Sequence, residues 1–191
     1  IGMNNWLNLE GNVCAVTGAL GGMGVEICRE FARNGADVVL LDLDEDKVKT
    51  SAAGLSDEFG IRAEGYRMDA TCEDEVQAAV DATVRDFGRV DVLVNTAGIL
   101  RFAPMEDLPL SDWDAVIKVN LTGTFIASQR FGRQMIKQGA GRLVHISTAA
   151  SYQPETFSGV YSSTKAGVNM MSKMLAAEWG PYGVRSNCVE P

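Results

Sequence analysis

Apolar residues fall into short continuous runs that alternate with longer stretches in which they recur every three or four positions. The short runs predict strands, and the longer stretches predict amphipathic helices. The predicted strands are Val13–Val16, Val38–Leu41, Ala63–Met68, Val92–Val94, Leu143–Ile146 and Ser186–Val189. The predicted helices cover about 23–34, 45–59, 73–87, 111–138 and 159–179.

This alternation of strands and helices predicts βαβ units, and therefore a parallel sheet with helices on both faces. The strand Val38–Leu41 is apolar without interruption, as a strand covered on both sides requires. The chain contains no repeat, low-complexity segment or linker. We therefore expect residues 1–191 to form a single α/β domain, a three-layer doubly wound parallel sheet.

Composition narrows the possible partners. The net charge is −8, and the basic residues are scattered, so the basic face that a nucleic acid requires is not expected. No apolar stretch approaches the ~18 residues needed to span a membrane. The four cysteines are far apart and His145 is the only histidine, so we expect buried thiols and no metal site. This cysteine usage fits a reducing cytoplasm.

A glycine-rich loop, TGALGGMG at residues 17–24, follows the first predicted strand and opens the first helix. In that position its glycines, with the backbone of Met23, can bring N–H groups up to a phosphate. A tight turn without a ligand is the alternative for the loop alone. Asp42 closes the second strand, where a dinucleotide-binding (Rossmann) fold places a carboxylate for the adenosine ribose. A solvated helix cap is the alternative interpretation, and it suits Asp44 better.

The spacing of this loop, T-G-x-x-x-G-x-G, resembles that of the short-chain dehydrogenase/reductase family. The resemblance extends from about residue 10 to the last residue and includes Asn95-Thr96-Ala97-Gly98, with Thr96 in place of the family's second asparagine. It continues with Asn120, the pair Tyr161-x-x-x-Lys165 and Val184-Arg-Ser-Asn187. The resemblance implies a dinucleotide cofactor, with Asp69 at the adenine. The cofactor-binding residues that it implies are Gly18, Gly22, Met23, Gly24, Asp42, Asp69, Asn95, Ala97, Gly98, Tyr161 and Lys165.

Tyr161 and Lys165 lie four residues apart on a predicted helix, so their side chains share a face. An ammonium beside a phenol favours the phenolate and lowers the phenol pKa. Tyr161 can then pass a proton to or from an alcohol or ketone oxygen. The resemblance further implies that Lys165 holds the nicotinamide ribose and that Asn120 holds a water that relays the proton.

The family's third catalytic group is a serine thirteen residues before the tyrosine. Counting back from Tyr161 gives Thr148, whose hydroxyl can serve in the same way. Ser147 is the alternative, although strand alternation puts it on the opposite face. His145 lies two residues before Ser147, which suggests a serine hydrolase, but a histidine buried in the strand is the expectation.

The favoured function is hydride transfer between NAD(H) and a secondary alcohol or ketone. NAD(H) is expected over NADP(H), because Asp42 would repel a 2′-phosphate and neither Gly21 nor Leu43 supplies a cation. One alternative is a protein that binds NAD without turnover. A sugar-nucleotide epimerase or dehydratase is another, although such relatives usually space the glycines T-G-x-x-G-x-x-G.

Two further expectations concern assembly and the chain end. Relatives pair through the two long helices, so we expect a homodimer or homotetramer acting on a small-molecule substrate. The chain ends directly after the sixth predicted strand, whereas relatives continue through a substrate lid and a seventh strand. We therefore expect a C-terminally incomplete domain that lacks its last strand.

Overall fold

The computed structural model describes residues 7–191. The strands are β1 Val13–Thr17, β2 Asp37–Asp42, β3 Ala63–Arg67, β4 Val92–Asn95, β5 Gly141–Ile146 and β6 Val184–Val189. These six parallel strands form one sheet in the order β3-β2-β1-β4-β5-β6, as the alternating pattern predicted.

Helices cover both faces of this sheet. The helices are α1 Gly22–Arg33, α2 Glu45–Phe59, α3 Glu73–Phe87, α4 Leu110–Val116, α5 Thr124–Gln138 and α6 Gly159–Trp179. Cys14 and Val16 of β1 pack toward α1 and α2, whereas Val13 and Ala15 pack toward α3, α5 and α6, and all four are buried. The continuous apolar strands therefore have the two-sided burial that their sequence predicted.

Local sequence signals set several of these boundaries. The Asp44 carboxylate accepts a hydrogen bond from the Lys47 backbone N–H, so Asp44 is the N-cap of α2, as its position suggested. Gly60 ends the same helix with a φ of 69°, a left-handed conformation that glycine adopts without strain.

Cys14 and Cys28 are buried among apolar side chains, and burial raises the pKa of Cys28 to about 12.

The long predicted helix at 111–138 is correct in extent but is not a uniform α-helix. Between α4 and α5 the backbone widens into a π-helical turn, Ile117–Gly123, with Asn120 in the middle of it. From the first residue of α5, the Thr124 hydroxyl donates to the Asn120 carbonyl oxygen at 2.7 Å. Such turns occur frequently at functional sites.

The strand order determines where a ligand-binding crevice can form. The crevice is expected where the order changes direction. The order reverses between β1 and β4, and ligands of doubly wound sheets bind at the carboxyl ends of the strands where this reversal occurs. Thr17 at the end of β1 pairs in register with Asn95 at the end of β4, so the loops that follow these strands begin side by side.

Within the described residues, no helix is both long and apolar enough to cross a membrane.

Candidate active site

A cleft lies at the carboxyl ends of β1 to β4. It contains five of the residues that the sequence assigned to a cofactor, namely Gly18, Asp42, Asp69, Ala97 and Gly98. The four loops that form it are far apart in sequence and meet only because the strands are parallel. The remaining lining residues are Leu20, Gly21, Leu43, Met68, Ala70, Thr71, Thr96, Ile99 and Val119.

The glycines of the first loop differ in the space that a side chain would have at each position. Gly18 has a φ of 64°, and a Cβ there would lie 2.8 Å from the Ala97 backbone. A Cβ on Gly24 would overlap the Gly18 carbonyl oxygen. At Gly22, by contrast, a Cβ would have nothing of the protein within 4 Å. Packing therefore explains Gly18 and Gly24, and the open space at Gly22 fits a ligand that approaches the backbone closely.

The same loop presents a helix N-terminus. The first helical hydrogen bond of α1 runs from the Val25 N–H to the Gly21 carbonyl, at 2.9 Å. The N–H groups of Gly22, Met23 and Gly24 precede it, so they have no carbonyl partner within the helix. With no side-chain cap at Gly21, this end of α1 has the donors and the dipole that bind a phosphate.

Asp42 ties the end of β2 to the glycine loop. Its Oδ2 accepts from the Leu20 N–H at 2.9 Å, and its Oδ1 accepts from the Leu43 N–H at 2.7 Å. The carboxylate is thus fixed at the rim of the cleft, with lone pairs left for hydroxyl donors. Asp69 is held similarly: its Oδ1 accepts from the Thr71 N–H at 2.8 Å, and this bond keeps the carboxyl pKa below its ordinary value.

Hydrogen bonds join the loops after β1 and β4. The Thr96 hydroxyl donates to the Thr17 carbonyl at 2.6 Å, and the Ala97 N–H donates to the Thr17 hydroxyl at 3.3 Å. Thr96, the departure from the family's asparagine, therefore braces the glycine loop directly. Asn95 is buried below this junction, where its Nδ2 donates to the Ser128 hydroxyl at 3.2 Å.

The Asn120 side chain is fully buried and acts as a brace. Its Oδ1 accepts from the Ile99 N–H and its Nδ2 donates to the Ile99 carbonyl, both at 2.8 Å. A Cβ on Gly98 would lie 3.3 Å from the same Oδ1, so glycine lets the chain pass close to the amide. The motif identified Asn120, but neither the Ile99 partnership nor the π-helical turn has a signal in the sequence.

Tyr161 and Lys165 share a face of α6, as their spacing predicted. Lys165 is buried, with its Nζ donating to the Ile146 carbonyl at 2.7 Å and lying 5.5 Å from the centre of the Tyr161 ring. Burial lowers the pKa of the Lys165 ammonium. Tyr161 differs from expectation, because burial and, secondarily, the negative charge of Glu155 raise its phenol pKa instead of lowering it.

Thr148 and Ser147 occupy different environments at the end of β5. Ser147 is 2% exposed, and its hydroxyl lies 3.4 Å from the Lys165 carbonyl oxygen inside the protein. Thr148 is partly exposed, and its Oγ1 accepts from the Ala150 N–H at 3.3 Å, capping the short 3₁₀ turn Ala149–Ser151. Of the two hydroxyls, only that of Thr148 belongs to a residue with access from outside.

His145 is completely buried in β5, as expected, and is not paired with Ser147. Its Nδ1 lies 3.1 Å from the Asn95 amide nitrogen, and its Nε2 lies 3.1 Å from the Ser186 hydroxyl. Burial, together with the nearby Lys165 charge, lowers the pKa of His145 to about 4. We therefore assign the neutral, hydrogen-bonded imidazole of His145 a structural role.

Comparison with known proteins extends these observations. The family model described as short chain dehydrogenase matches residues 12–191. The chain is 40% identical over 183 residues to a D-threitol dehydrogenase of Mycolicibacterium smegmatis, covering 96% of this chain and 70% of that protein.

Two solved structures resemble the fold closely. An NAD⁺-bound xylitol dehydrogenase is 34% identical with a TM-score of 0.92, covering 96% of this chain and 70% of the other. A gluconate 5-dehydrogenase from Burkholderia cenocepacia, in complex with NADP and tartrate, is 35% identical with a TM-score of 0.92 and covers 96% and 71%. The two neighbours thus hold different dinucleotides.

Proposed function

We propose that this chain, which belongs to the short-chain dehydrogenase/reductase family, transfers a hydride between NAD(H) and a secondary alcohol or ketone. The observation that carries the proposal is the pairing of Tyr161 with a buried Lys165 whose Nζ lies 5.5 Å from the phenol ring. The nicotinamide ring, when bound, supplies or accepts the hydride. The chain's own residues bind it, orient the substrate and move one proton.

The raised Tyr161 pKa gives the proton transfer a direction. At neutral pH the phenol is protonated, so its Oη is set to donate to the oxygen of a ketone during reduction. Oxidation of an alcohol needs the phenolate and is therefore favoured at higher pH. Thr148 would hold the substrate oxygen through its hydroxyl, which is supported by its partial exposure beside the end of β5.

Asn120 would hold the proton-relaying water through its backbone. Its amide is engaged on both sides by Ile99, so the backbone carbonyl, which accepts from the Thr124 hydroxyl, would be the acceptor for the water. Lys165 would hold the nicotinamide ribose through its ammonium, which carries three N–H donors and already gives one to Ile146.

The preference for NAD(H) rests on Asp42. A 2′-phosphate on the adenosine ribose would place negative charge against this fixed carboxylate. Two unit charges ~4 Å apart near a protein surface repel by about 4 kcal/mol, and half of that already exceeds a tenfold difference in affinity. The adjacent Leu43 offers no compensating cation.

A homodimer or homotetramer is part of the same proposal, supported by exposed Met170 and Met174 on α6.

A panel of substrates followed by NADH absorbance tests the proposal. It contains glycerol, D-threitol, xylitol, gluconate, 2-butanol and 1-phenylethanol for oxidation, and acetone and acetophenone for reduction. Turnover of at least one compound, lost by about 10²–10⁴-fold in Tyr161→Phe with NADH binding retained, is the expected result. NADH binding without turnover of any compound would favour a binding protein instead. Equal activity of Tyr161→Phe would refute the assignment of the proton donor.

A further inference from the structure

One wall of the cleft, the outer wall, consists of residues 68–71, directly after β3. Its first residue, Met68, donates its N–H to the Asp42 carbonyl at 2.8 Å. In the strand order β3 lies outside β2, on the side away from β4 and β5. With the phosphates at the glycine loop and the adenosine ribose at Asp42, the adenine base of the cofactor is expected at this outer wall.

The outer wall is shaped by its own hydrogen bonds and by close packing. The Asp69 Oδ1 accepts from the Thr71 N–H at 2.8 Å, and the Asp69 carbonyl accepts from the Cys72 N–H at 3.0 Å. A Cβ on Gly123, at the end of the π-helical turn, would lie 3.4 Å from both the Cβ and the carbonyl oxygen of Ala70. Glycine therefore lets the turn and the wall approach each other closely.

Glu75, in the first turn of α3, holds the outer wall through its backbone. Its Oε2 accepts from the Asp69 N–H at 2.7 Å and lies 2.6 Å from the Arg67 Nη1. In a capping box, a glutamate at this third helical position reaches back to the N–H of the N-cap residue. Here the N-cap is Cys72, and its N–H donates to the Asp69 carbonyl instead. The Glu75 carboxylate thus reaches past the cap to the wall.

The ion pair with Arg67 keeps Glu75 in the form that accepts hydrogen bonds best. Arg67 and, secondarily, the Asp69 N–H hold the pKa of the Glu75 carboxyl below its ordinary value. An ionised carboxylate accepts stronger hydrogen bonds than a neutral carboxyl group does. Both side chains of the pair are partly exposed, so the pair itself adds little to stability. What it fixes is the direction of the Oε2 atom, which bridges Arg67 and the wall.

We propose that Glu75 is a positioning residue for the cofactor, which holds the Asp69 backbone and thereby keeps the outer wall in place for the adenine base. Glu75 is not among the residues that line the cleft, so it acts through Asp69. The inference rests on the proposed function, since it concerns the dinucleotide of the same site. One ordinary hydrogen bond lost at the base corresponds to about a twofold to tenfold higher Kd.

Two variants separate the reach of the Glu75 side chain from its charge. Glu75→Asp keeps the charge beside Arg67, but it is shorter by one methylene group, which withdraws the carboxylate from the Asp69 N–H. Glu75→Gln keeps the length and an acceptor oxygen while losing the charge. Glu75→Ala loses both and should match Glu75→Asp, which keeps the test informative if one of these variants does not fold. Glu73→Asp is the matched control, because Glu73 lies in the same helical turn but pairs with Arg130 of α5.

Calorimetric titrations with NADH and with ADP-ribose, which has the adenosine but no nicotinamide, measure the effect. In Glu75→Asp both Kd values are expected to rise by the same factor, about twofold to tenfold. Glu75→Gln and Glu73→Asp should bind both ligands as the wild type does. In steady-state assays the KM for NADH should rise in Glu75→Asp while kcat stays unchanged.

Every result of the titrations bears on the inference. Weaker binding of both ligands in Glu75→Asp, but not in Glu75→Gln or Glu73→Asp, supports it. Weaker binding in Glu75→Gln with wild-type binding in Glu75→Asp makes charge the cause and overturns it. A loss confined to NADH, or unchanged affinities in all variants, overturns it as well. A wild-type protein that binds both ligands but turns over no substrate refutes the proposed function alone, whereas one that binds neither ligand refutes both.

Discussion

Replacing Gly22 by alanine separates ligand binding from folding. The new methyl group would meet no protein atom within 4 Å, at the first residue of α1. Alanine reduces the entropy of the unfolded chain and favours the helix, by up to about 1 kcal/mol. In a domain of this size ~1 kcal/mol moves the melting temperature by about 2–4 °C. The melting temperature of Gly22→Ala should therefore be unchanged or a few degrees higher.

The affinity for NADH should change in the opposite direction. The methyl group would occupy open space at the N-terminus of α1, where we expect the pyrophosphate. A hydrogen bond to a charged group contributes about 1.5–3 kcal/mol, and losing one raises Kd at least about tenfold. Fluorescence titration with NADH, alongside thermal melts with and without the cofactor, measures both effects.

Gly24→Ala is the matched control two residues away. Its Cβ would overlap the Gly18 carbonyl and lie 2.8 Å from the Ala19 Cα, so the backbone has to shift. Overpacking of this kind costs about 1–3 kcal/mol and should lower the melting temperature even without cofactor. Wild-type NADH affinity in Gly22→Ala would contradict the proposed phosphate site, whereas a lower melting temperature in that variant would contradict the open space at Gly22.

Three further predictions concern single side chains. Thr148→Ala should slow ketone reduction markedly, whereas Ser147→Ala should leave kcat near wild type; the reverse result moves the role to Ser147. Asp42→Ala should weaken NADH binding and strengthen NADPH binding, and unchanged affinities in fluorescence titrations would show that Asp42 is not at the ribose. His145 is buried as a neutral imidazole, and burial lowers its pKa from the ordinary 6.5 to about 4. The unfolded chain therefore binds this proton at a higher pH than the folded chain does. As a result, the free energy of unfolding falls as the pH drops from 6.5 towards about 4. The loss reaches about 3 kcal/mol; denaturant titrations of His145→Asn should show a flatter profile, and an equal slope would refute this cause.

The sequence alone determined the architecture because the signals were local and repeated. Uninterrupted apolar strands between amphipathic helices allow few solutions other than a parallel sheet covered on both sides, and the structure confirms that prediction. The resemblance to the short-chain dehydrogenase/reductase family is confirmed as well, over residues 12–191. Its motifs depend on residue types at fixed spacings, which a sequence displays directly. The roles assigned to Tyr161, Lys165 and Thr148 remain predictions.

What the tertiary structure decided depends on burial and on contacts between distant segments. The raised pKa of Tyr161 follows from desolvation and Glu155, neither of which its spacing to Lys165 reveals. The contrast between the open space at Gly22 and the crowding at Gly24 arises only when the loop after β1 folds against α1. Phe157 has a φ of 69°, and its carbonyl accepts a hydrogen bond from the Ala103 N–H, more than fifty residues earlier in the chain. A sequence specifies such pairs only through the complete fold, because parallel strands bring together loops that are far apart along the chain.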